Sequence, residues 1–464
     1  MTANIINDTI AAISTAIGEA GIGIVRISGP GALDIADRIF VAKDIRQLRD
    51  CQGYTTHYGW IAEKEKRGRI IDEVLINVMR SPRSYTREDI IEINCHGGAL
   101  PLREVLELVL RNGCRLAEPG EFTKRAFLNG RIDLAQAEAV LDIIKAKTDA
   151  ALKMSAEQLR GGLSAEINSC REALIEALSL IEADIDFPED TSGSVDLNRI
   201  GAALKESGRK ISGLLSCSGR GRIIREGVKT VICGRPNVGK SSILNALLRQ
   251  ERSLVTSVAG TTRDTIEEFI DIRGIPIRII DTAGILEPRD LIERKAVQRA
   301  KRYIEEADLV LLIFDGSRKL VEEDRMLIKR LKSKQNVIAV VNKIDKTQNI
   351  KKDDLAGKFT RLVEISAKNY LNINLLEDSI CEAVYRGEVV LAEAVLVSNL
   401  RHIESLRCAQ KLIAEASDSL DNKLPAEYTA QLIKDASSYL DEMLGKRITE
   451  DVLERIFGEF CIGK

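Results

Sequence analysis

The chain has 464 residues, of which 30% are charged and 4% are aromatic, and its formal net charge is -2. This length predicts two or three domains with sizeable cores. The near balance of charge excludes a globally basic nucleic-acid-binding surface, so any RNA contact must be local or shared with a partner. The scarcity of aromatic residues argues against a base-stacking surface for single-stranded nucleic acid.

The cysteines and the lack of targeting signals predict a cytoplasmic protein. Nine cysteines are scattered along the chain and none forms a C-x-x-C pair, which is typical of reduced thiols. The sequence shows no basic segment followed by an apolar core at its start, and no long uninterrupted apolar stretch. We therefore expect neither a secretory signal nor a membrane span.

Residues 1–121 mix short β-branched runs with glycines, a pattern that predicts a small α+β domain. Strands are predicted at 22–29, 74–78 and 90–94, and helices at 32–40 and 101–112.

From residue 122 the apolar residues recur at helical spacing up to residue 224, with a break at Phe187-Pro188-Glu189-Asp190. Residues 225–385 alternate strand and helix, as a doubly wound α/β domain does. Its strands are predicted at 228–233, 267–272, 276–281, 309–315, 337–342 and 362–365. Helix returns over 386–464. The economical interpretation is one all-α domain interrupted by an inserted α/β domain.

The most informative motif is Gly234-Arg235-Pro236-Asn237-Val238-Gly239-Lys240-Ser241, which reads G-x-x-x-x-G-K-S. An apolar strand precedes it and a helical run follows, which is the context that a phosphate-binding loop requires. Its two glycines let backbone amides approach the phosphates, and the helix N-terminus adds a favourable dipole. Lys240 would reach the β- and γ-phosphates, and Ser241 would ligate Mg²⁺.

Four further elements follow in order: Thr261-Thr262, Asp281-Thr282-Ala283-Gly284, Asn342-Lys343-Ile344-Asp345 and Ser366-Ala367-Lys368. Thr262 would be the second Mg²⁺ ligand, and Asp281 would hold the metal's water shell. Asp345 would accept hydrogen bonds from guanine N1–H and its exocyclic amine, which adenine cannot match. The substrate is therefore predicted to be GTP.

The predicted GTP contacts lie in these five motifs and in the loop before Thr262. They are Asn237, Val238, Gly239, Lys240, Ser241, Ser242, Thr256, Ser257, Val258, Ala259, Gly260, Thr261, Thr262, Asp281, Thr282, Ala283, Gly284, Asn342, Lys343, Asp345, Ser366, Ala367 and Lys368.

The residue after the D-T-A-G motif is Ile285, where Ras-like GTPases carry a glutamine that orients the attacking water. An aliphatic side chain cannot orient water, so another group must do so. Arg263 and Arg289 are candidates for an arginine finger, with an ordinary surface arginine as the alternative.

Asn237 offers a substitute for such a finger. Its side-chain oxygen could ligate K⁺ beside the phosphates, where the ion would place positive charge as an arginine finger does. Oxygens of Thr256, Val258 and Thr261 could complete the shell. The alternative, that Asn237 only suits the turn of the loop, stays open at this point.

The segments outside the nucleotide motifs carry a family resemblance. They are Gly21-Ile22-Gly23-Ile24-Val25-Arg26-Ile27-Ser28-Gly29, Cys95-His96-Gly97-Gly98, Pro119-Gly120-Glu121-Phe122-Thr123-Lys124-Arg125-Ala126-Phe127-Leu128-Asn129-Gly130, Asp133-Leu134-Ala135-Gln136-Ala137-Glu138-Ala139, Ile185-Asp186-Phe187-Pro188 and Phe460-Cys461-Ile462-Gly463-Lys464. Together they resemble the MnmE (TrmE) family of tRNA modification GTPases over essentially the whole chain.

This resemblance implies a three-part architecture. Residues 1–121 would form an N-terminal α+β domain for tetrahydrofolate binding and dimerisation. Residues 122–224 and 386–464 would form an all-α helical domain, and residues 225–385 a Ras-like P-loop G domain inserted into it.

The resemblance also implies an activity and partners. The N-terminal domains would pair in a homodimer, and the G domains would meet when K⁺ and GTP bind. With the flavoprotein MnmG (GidA), as a heterotetramer or larger complex, the protein would add an aminomethyl or carboxymethylaminomethyl group to C5 of the wobble uridine (U34) of certain tRNAs. A 5,10-methylene- or 5-formyl-tetrahydrofolate would supply the one-carbon unit, and GTP hydrolysis would drive the conformational cycle.

Several site residues are implied in the same way. Glu293 would orient the attacking water, with a solvated helix-face carboxylate as the alternative. Lys240 and Thr262 would be the other catalytic residues. The folate site would contain Arg26, Glu92, Arg131 and Lys464, and Cys461 would lie close to it as a functional thiol. The alternatives are that Arg26 and Arg131 are ordinary surface cations and that Glu92 is a carboxylate on a strand face. Cys461 could likewise be a small thiol that only packs.

The competing interpretation is a ribosome-assembly GTPase that acts as a binding switch. The G domain of such a protein would have a sequence much like this one. Such proteins usually carry an RNA-binding KH module or a second G domain, and neither is evident in the sequence.

Overall fold

The computed structural model describes residues 8–43, 45, 47–63, 68–186, 197–250, 267–280, 302–332, 334, 336–350, 354–355, 357–385 and 395–464. The chain divides into two compact units. Unit 1 comprises Met1–Leu141, Gln158–Ile175 and Ile433–Lys464, and unit 2 comprises Asp142–Glu157 and Glu176–Leu432. The break predicted at 187–190 lies outside the described residues.

Unit 1 contains a seven-stranded sheet. Its strands are β1 (Ile10–Ile13), β2 (Ala20–Ser28), β3 (Phe40–Ala42), β4 (Thr55–Glu63), β5 (Arg69–Met79), β6 (Ile90–Gly97) and β7 (Arg115–Leu116), in the order β3-β4-β5-β6-β2-β1-β7. Helices α1 (Ala32–Ile39) and α2 (Ala99–Arg111) share a buried core with alternate strand residues such as Val74 and Ile76. The predicted α+β domain is confirmed, and its three predicted strands are longer than expected.

A buried ion cluster fixes the next helix, α3 (Glu121–Leu128), to this sheet domain. The side chain of Arg125 is fully buried and contacts the carboxylates of Asp8 at 2.6 Å, Glu88 at 3.2 Å and Glu121 at 3.0 Å. A buried cation left without partners would destabilise the fold by about 3–5 kcal/mol, so three carboxylates around one guanidinium hold α3 in place.

The remaining helices before the G domain are α4 (Leu134–Lys145), α5 (Asp149–Leu159), α6 (Gly162–Asp186), α7 (Leu197–Ser216) and α8 (Ser218–Glu226). The helical structure that the sequence predicted up to residue 224 is divided between α7 and α8. The hydroxyls of Ser216 and Ser218 donate to the carbonyl oxygens of Gly213 and Leu215 at 2.7 Å. Such side-chain bonds compete with the helical ladder, which accounts for the break at Cys217.

The G domain lies in unit 2 and contains a six-stranded sheet. Its elements are β8 (Val228–Cys233), α9 (Lys240–Gln250), β9 (Glu267–Ile272), β10 (Ile275–Ile280), β11 (Leu309–Asp315), α10 (Glu322–Leu331), β12 (Val337–Asn342), β13 (Arg361–Ile365) and α11 (Ile373–Tyr385). The strand order is β13-β12-β11-β8-β10-β9, and every pair is parallel except β10 with the edge strand β9. All six predicted strands are confirmed to within one residue.

Both faces of this sheet are buried, one under α9 and α11 and the other under α10. A strand that is buried on both faces has a nearly continuous run of apolar residues, so these strands could be predicted from the sequence. The carboxyl ends of β8, β11 and β12 meet at one edge, which is where ligands bind in doubly wound sheets. This edge carries the candidate nucleotide site.

Three helices follow the G domain: α12 (Leu400–Asp421), α13 (Ala426–Leu444) and α14 (Glu450–Gly458). In unit 2, α12 packs along α7. None of the helices in the described part of the chain combines the length and apolar character needed to cross a bilayer. The four-segment division of the chain at residues 121, 224 and 385 stays a prediction.

Candidate nucleotide and folate sites

The phosphate-binding loop connects β8 to α9 at the carboxyl edge of the G-domain sheet. Gly234 has a φ of 149° and Gly239 a φ of 103°. A Cβ on Gly234 would collide with the backbone oxygen of Ile313, and one on Gly239 with the side-chain amide of Asn342. Both glycines are therefore required by conformation and by close packing.

Four residues of the loop and the start of α9 are available to a ligand. Asn237, Ser241 and Ser242 are exposed, and Lys240 is half-buried at the first position of α9. The Nζ atom of Lys240 donates to the carbonyl oxygens of Gly234 and Arg235, each at 3.0 Å. This places the ammonium group against the loop that would surround the phosphates.

Asn342 joins three of the predicted motifs. Its side chain is buried and its Nδ2 donates to the carbonyl oxygen of Val238 at 2.9 Å. Its Oδ1 accepts from the backbone amides of Lys343 at 2.8 Å and Ala367 at 3.0 Å. One amide thus fixes the phosphate loop, the base-reading segment and the 366–368 loop relative to each other.

The base-reading segment is held by side-chain contacts as well. The Nζ of Lys343 donates to the carbonyl oxygen of Asn237 at 2.6 Å and to Asp315 Oδ2 at 2.7 Å. The hydroxyl of Ser366 donates to Asp345 Oδ1 at 2.6 Å. This hydrogen bond lowers the pKa of Asp345, so its exposed carboxylate stays ionised and can accept from a guanine edge.

Two features of this site were not predicted. Asp315 was not singled out, although it closes an apolar strand beside the one that ends at Asn342. The hydrogen bond from the Ser366 side chain to Asp345 was not predicted either. Lys368 is exposed.

The other predicted nucleotide and metal residues lie outside the described part of the chain. They are Thr256, Ser257, Val258, Ala259, Gly260, Thr261, Thr262, Asp281, Thr282, Ala283, Gly284 and Glu293. Within the described residues, no three His, Cys, Asp or Glu side chains cluster as a carboxylate or thiolate metal site would require. The predicted Mg²⁺ ligand that is described, Ser241, is a hydroxyl at the start of α9.

In unit 1, Arg26 and Glu92 lie opposite each other on β2 and β6. The Nε of Arg26 donates to Glu92 Oε1 at 2.9 Å, and a terminal nitrogen lies 2.8 Å from the same oxygen. The two side chains are 16% and 17% exposed, so a polar pair stands at the border of the core rather than in free solvent. A charge-assisted pair of this kind fixes the two side chains relative to each other.

Tyr85 connects this pair to Arg131. The guanidinium carbon of Arg131 lies 4.4 Å from the centroid of the Tyr85 ring, and that of Arg26 lies 5.5 Å from it. The Tyr85 hydroxyl is 2.9 Å from the hydroxyl of Thr123 on α3. Among the described residues, the buried Nε of Arg131 has no hydrogen-bond partner.

Residues 461–464 lie along the start of α3. Ile462 forms a β-bridge with Pro119, the amide of Phe122 donates to the Lys464 oxygen at 3.1 Å, and Ser14 donates to the Gly463 oxygen at 3.0 Å. The Phe122 ring centroid is 5.5 Å from the Arg26 guanidinium carbon. The structure therefore brings Arg26, Glu92 and Arg131 around Tyr85, with Lys464 beside Phe122.

Cys461 is exposed, and the amide of Gly120 donates to its backbone oxygen at 3.4 Å.

Tyr85 and Phe122 were not predicted as site residues. Phe122 lies inside the long motif that carried the resemblance, but only the packing shows its contact with Arg26.

A family model for the MnmE helical domain matches residues 134–461, and a model for the GTP-binding protein TrmE N-terminus matches residues 9–131. The tRNA modification GTPase MnmE of Desulforamulus reducens is 45% identical over 99% of this chain and 100% of that protein. The tRNA modification GTPase MnmE of Geobacillus thermodenitrificans is 46% identical over 98% of this chain and 99% of that protein.

Among solved structures, Era in complex with MgGDPNP and a segment of 16S ribosomal RNA is 30% identical over 39% of this chain and 65% of that chain, with a TM-score of 0.28. The two family models and the full-length relatives account for the segments on both sides of the G domain. The chain is therefore a member of the MnmE family, a GTP hydrolase with an N-terminal α+β domain, a helical domain and a Ras-like P-loop G domain.

Proposed function

We propose that this GTPase acts on tRNA, as the names of its relatives say of them. With the flavoprotein MnmG (GidA), in a heterotetramer or larger complex, it adds an aminomethyl or carboxymethylaminomethyl group to C5 of the wobble uridine, U34. The observation that carries the proposal is that one chain combines a nucleotide site with the cluster of Arg26, Glu92 and Arg131. The protein works in the cytoplasm.

The nucleotide site performs the hydrolysis. Backbone amides of the 234–241 loop and the N-terminus of α9 bind the phosphates, Lys240 neutralises charge on them, and Asp345 selects guanine. Mg²⁺ held by Ser241 and Thr262, and K⁺ held by Asn237, Thr256, Val258 and Thr261, supply positive charge beside the phosphates when bound. Glu293 orients the attacking water.

The cluster in unit 1 fits a folate such as 5,10-methylene- or 5-formyl-tetrahydrofolate. The Glu92 carboxylate can accept hydrogen bonds from the pterin N–H and amino groups. The orphaned Nε of Arg131 is a donor without a partner among the described residues, and it suits a folate carboxylate. Lys464 adds a further cation, and Cys461 places a thiol close by. The folate supplies the one-carbon unit when bound.

The protein acts as a homodimer through its N-terminal domains. Binding of K⁺ and GTP brings the G domains together, and hydrolysis drives this cycle. The energy of GTP is therefore used for conformational change, while the carbon chemistry belongs to the folate cluster and the flavoprotein.

Nucleoside mass spectrometry of tRNA tests the proposal. tRNA from cells that lack the protein should lose the C5 modification at the wobble position. A gene that encodes the Arg26→Gln protein should fail to restore the modification in these cells, because the cation that pairs with Glu92 is removed. A gene that encodes the Arg38→Gln protein should restore the modification, because Arg38 is an exposed arginine on α1 and is not part of the cluster. Unchanged tRNA in the deletion strain would defeat the proposal.

A further inference from the structure

A cavity of about 810 Å³ opens in unit 2 between α8 and the G-domain sheet. Its volume is within the range of roughly 300–1,000 Å³ that small-molecule sites occupy. The lining contains Arg220, Arg222, Lys229, Arg278 and Tyr385. This is an unusual concentration of cations for a chain whose overall charge is nearly balanced.

The cavity is separate from the nucleotide site. Val228 and Lys229, the first two residues of β8, line it, and the phosphate loop begins at Gly234 after the other end of the same strand. At about 3.3 Å per residue, the strand separates the two places by roughly 20 Å. Leu309, at the start of β11, also lines the cavity. It therefore lies at the amino-terminal edge of the sheet, opposite the GTP edge.

The lining carries an excess of positive charge. Its acidic residues are Glu226 and Asp308, against four cations. Glu226 forms an ion pair with Arg222 at 3.3 Å, and Asp308 accepts a hydrogen bond from the backbone amide of Lys229 at 3.0 Å. Glu226 therefore neutralises part of the charge of Arg222, and the lining as a whole keeps two more cations than carboxylates. A concave surface with this excess focuses positive potential on an anion.

Arg220 and Tyr385 lie next to each other in the lining of the cavity. The Arg220 guanidinium carbon lies 5.4 Å from the centroid of the Tyr385 ring. Within the described residues, the buried Nε of Arg220 has no hydrogen-bond partner. Burial raises the pKa of Tyr385, so the phenol is neutral. A guanidinium held against an aromatic ring offers both a stacking surface and planar donors.

We propose that this cavity binds a nucleoside phosphate. The phosphate contacts the cations Arg222, Lys229 and Arg278, and the base lies against Arg220 and Tyr385. The nucleotide is either a free mononucleotide or one residue of an RNA strand, since the two present the same chemistry to the cavity. A ligand here contacts both α8 and the first residues of the G-domain sheet.

Isothermal titration calorimetry of the full-length protein tests this, with GDP added to saturate the phosphate loop. The probes are AMP and a short oligoadenylate RNA, because AMP lacks both guanine and the β-phosphate that the GTP site requires. Arg222→Gln and Lys229→Gln should each weaken probe binding about tenfold, the effect of losing one charged contact of about 1.4 kcal/mol.

Arg209→Gln is the matched control, since Arg209 is an exposed arginine on α7 that also pairs with a glutamate and does not line the cavity. GDP affinity should be the same in all three variants, which would show that the G domain is folded.

Binding of AMP identifies a mononucleotide site. Binding of the RNA alone identifies an RNA contact, and Arg222→Gln should then reduce the slope of log K against log salt by about 0.7.

Absence of binding of both probes to the unmodified protein would overturn the proposal. Equal binding by the Arg222→Gln and Arg209→Gln proteins would overturn it as well, because the probe would then bind elsewhere.

Discussion

A single buried amide connects the parts of the nucleotide site. Asn342 bonds to Val238, Lys343 and Ala367, so the residues that would contact phosphate and base are fixed by one side chain. The exposed groups around it carry less of this structural role: Asp345 accepts one side-chain hydrogen bond, from the Ser366 hydroxyl. Their substitution should therefore change ligand preference without unfolding the G domain.

Asp345→Asn should exchange guanine for xanthine. In the proposed GTP site the carboxylate would accept from guanine N1–H and the exocyclic amine, whereas an amide can donate to the carbonyl that xanthine has at C2. Loss of two charge-assisted bonds should reduce GTP turnover at subsaturating substrate at least about a hundredfold, with turnover of xanthosine triphosphate appearing instead. Steady-state kinetics with both nucleotides measures this.

Asp354→Asn is the control for that substitution, because Asp354 is also exposed and lies shortly after the base-reading segment. Its protein should retain the preference for GTP. An Asp345→Asn protein that still prefers GTP would show that guanine is read by other groups.

Asn237 allows the role of K⁺ to be tested at one residue. Its φ of 62° is one that glycine tolerates, so Asn237→Gly removes the side-chain oxygen without backbone strain. GTP turnover should rise when K⁺ replaces Na⁺ in the unmodified protein, and the variant should lose most of this response. Equal turnover of the unmodified protein in both salts would contradict a K⁺-dependent mechanism.

At the scale of elements, the segment 461–464 is bound to the N-terminal domain by backbone bonds that depend on Gly463. This glycine has a φ of 95°, and a Cβ there would collide with the backbone oxygen of Ile13. Gly463→Ala should lower the free energy of unfolding by about 1–3 kcal/mol and expose the segment to carboxypeptidase.

Gly458→Ala is the matched control for Gly463→Ala. Gly458 ends α14 and a Cβ there would meet nothing within 4 Å. Its replacement should leave stability unchanged or raise it slightly. Denaturant unfolding and limited proteolysis of the two variants compare them directly, and equal behaviour would mean that the segment is not held as described.

The elements differ in how well the sequence predicted them, for physical reasons. The G-domain strands are buried on both faces and appear as apolar runs. Strands β4 and β7 were not predicted, because β4 mixes polar and apolar residues and β7 has two residues that pair with β1 across the fold. The break between α7 and α8 depends on local serine bonds that periodicity does not reveal.

The candidate sites show the same contrast. The nucleotide motifs are contiguous in sequence, so residues such as Lys240 could be identified without a structure. The resemblance named Arg26 and Glu92 as site residues, but the ion pair between them, which joins residues 66 positions apart, was not predicted. The contact between Arg131 and Tyr85 depends on how α3 and the loop before β6 pack, which no local pattern encodes.

At the scale of the whole molecule, the proposed homodimer requires a surface for a second copy. Val74 and Ile76 face the helices, so Leu75 lies on the opposite face of the sheet. Leu75 on β5 is 47% exposed and Ile22 on β2 is 63% exposed. Part of this face is covered, because Ile10 and Ala12 pack there against Phe122 of α3. The apolar residues that stay exposed on it are suited to burial against another copy.

Leu75→Asp should convert the dimer to a monomer, because a carboxylate would be buried without a partner in the interface. Leu100→Asp is the control: Leu100 is also an exposed leucine, but it lies on α2, which covers the other face of the sheet. Light scattering coupled to size-exclusion chromatography measures the molar mass of each. A dimeric Leu75→Asp protein would place the interface elsewhere.

The bond between Ser14 and Gly463 spans 449 positions of sequence. A ribosome makes the chain from one end, so the G domain emerges whole while the first domain still lacks residues 461–464. A nascent chain or a fragment that stops before residue 461 therefore contains the whole G-domain sequence, but it lacks the contact of Ser14 with Gly463, and the proposed folate site lacks Lys464. The contact of Ser14 with Gly463 can therefore form only after the G domain has been synthesised.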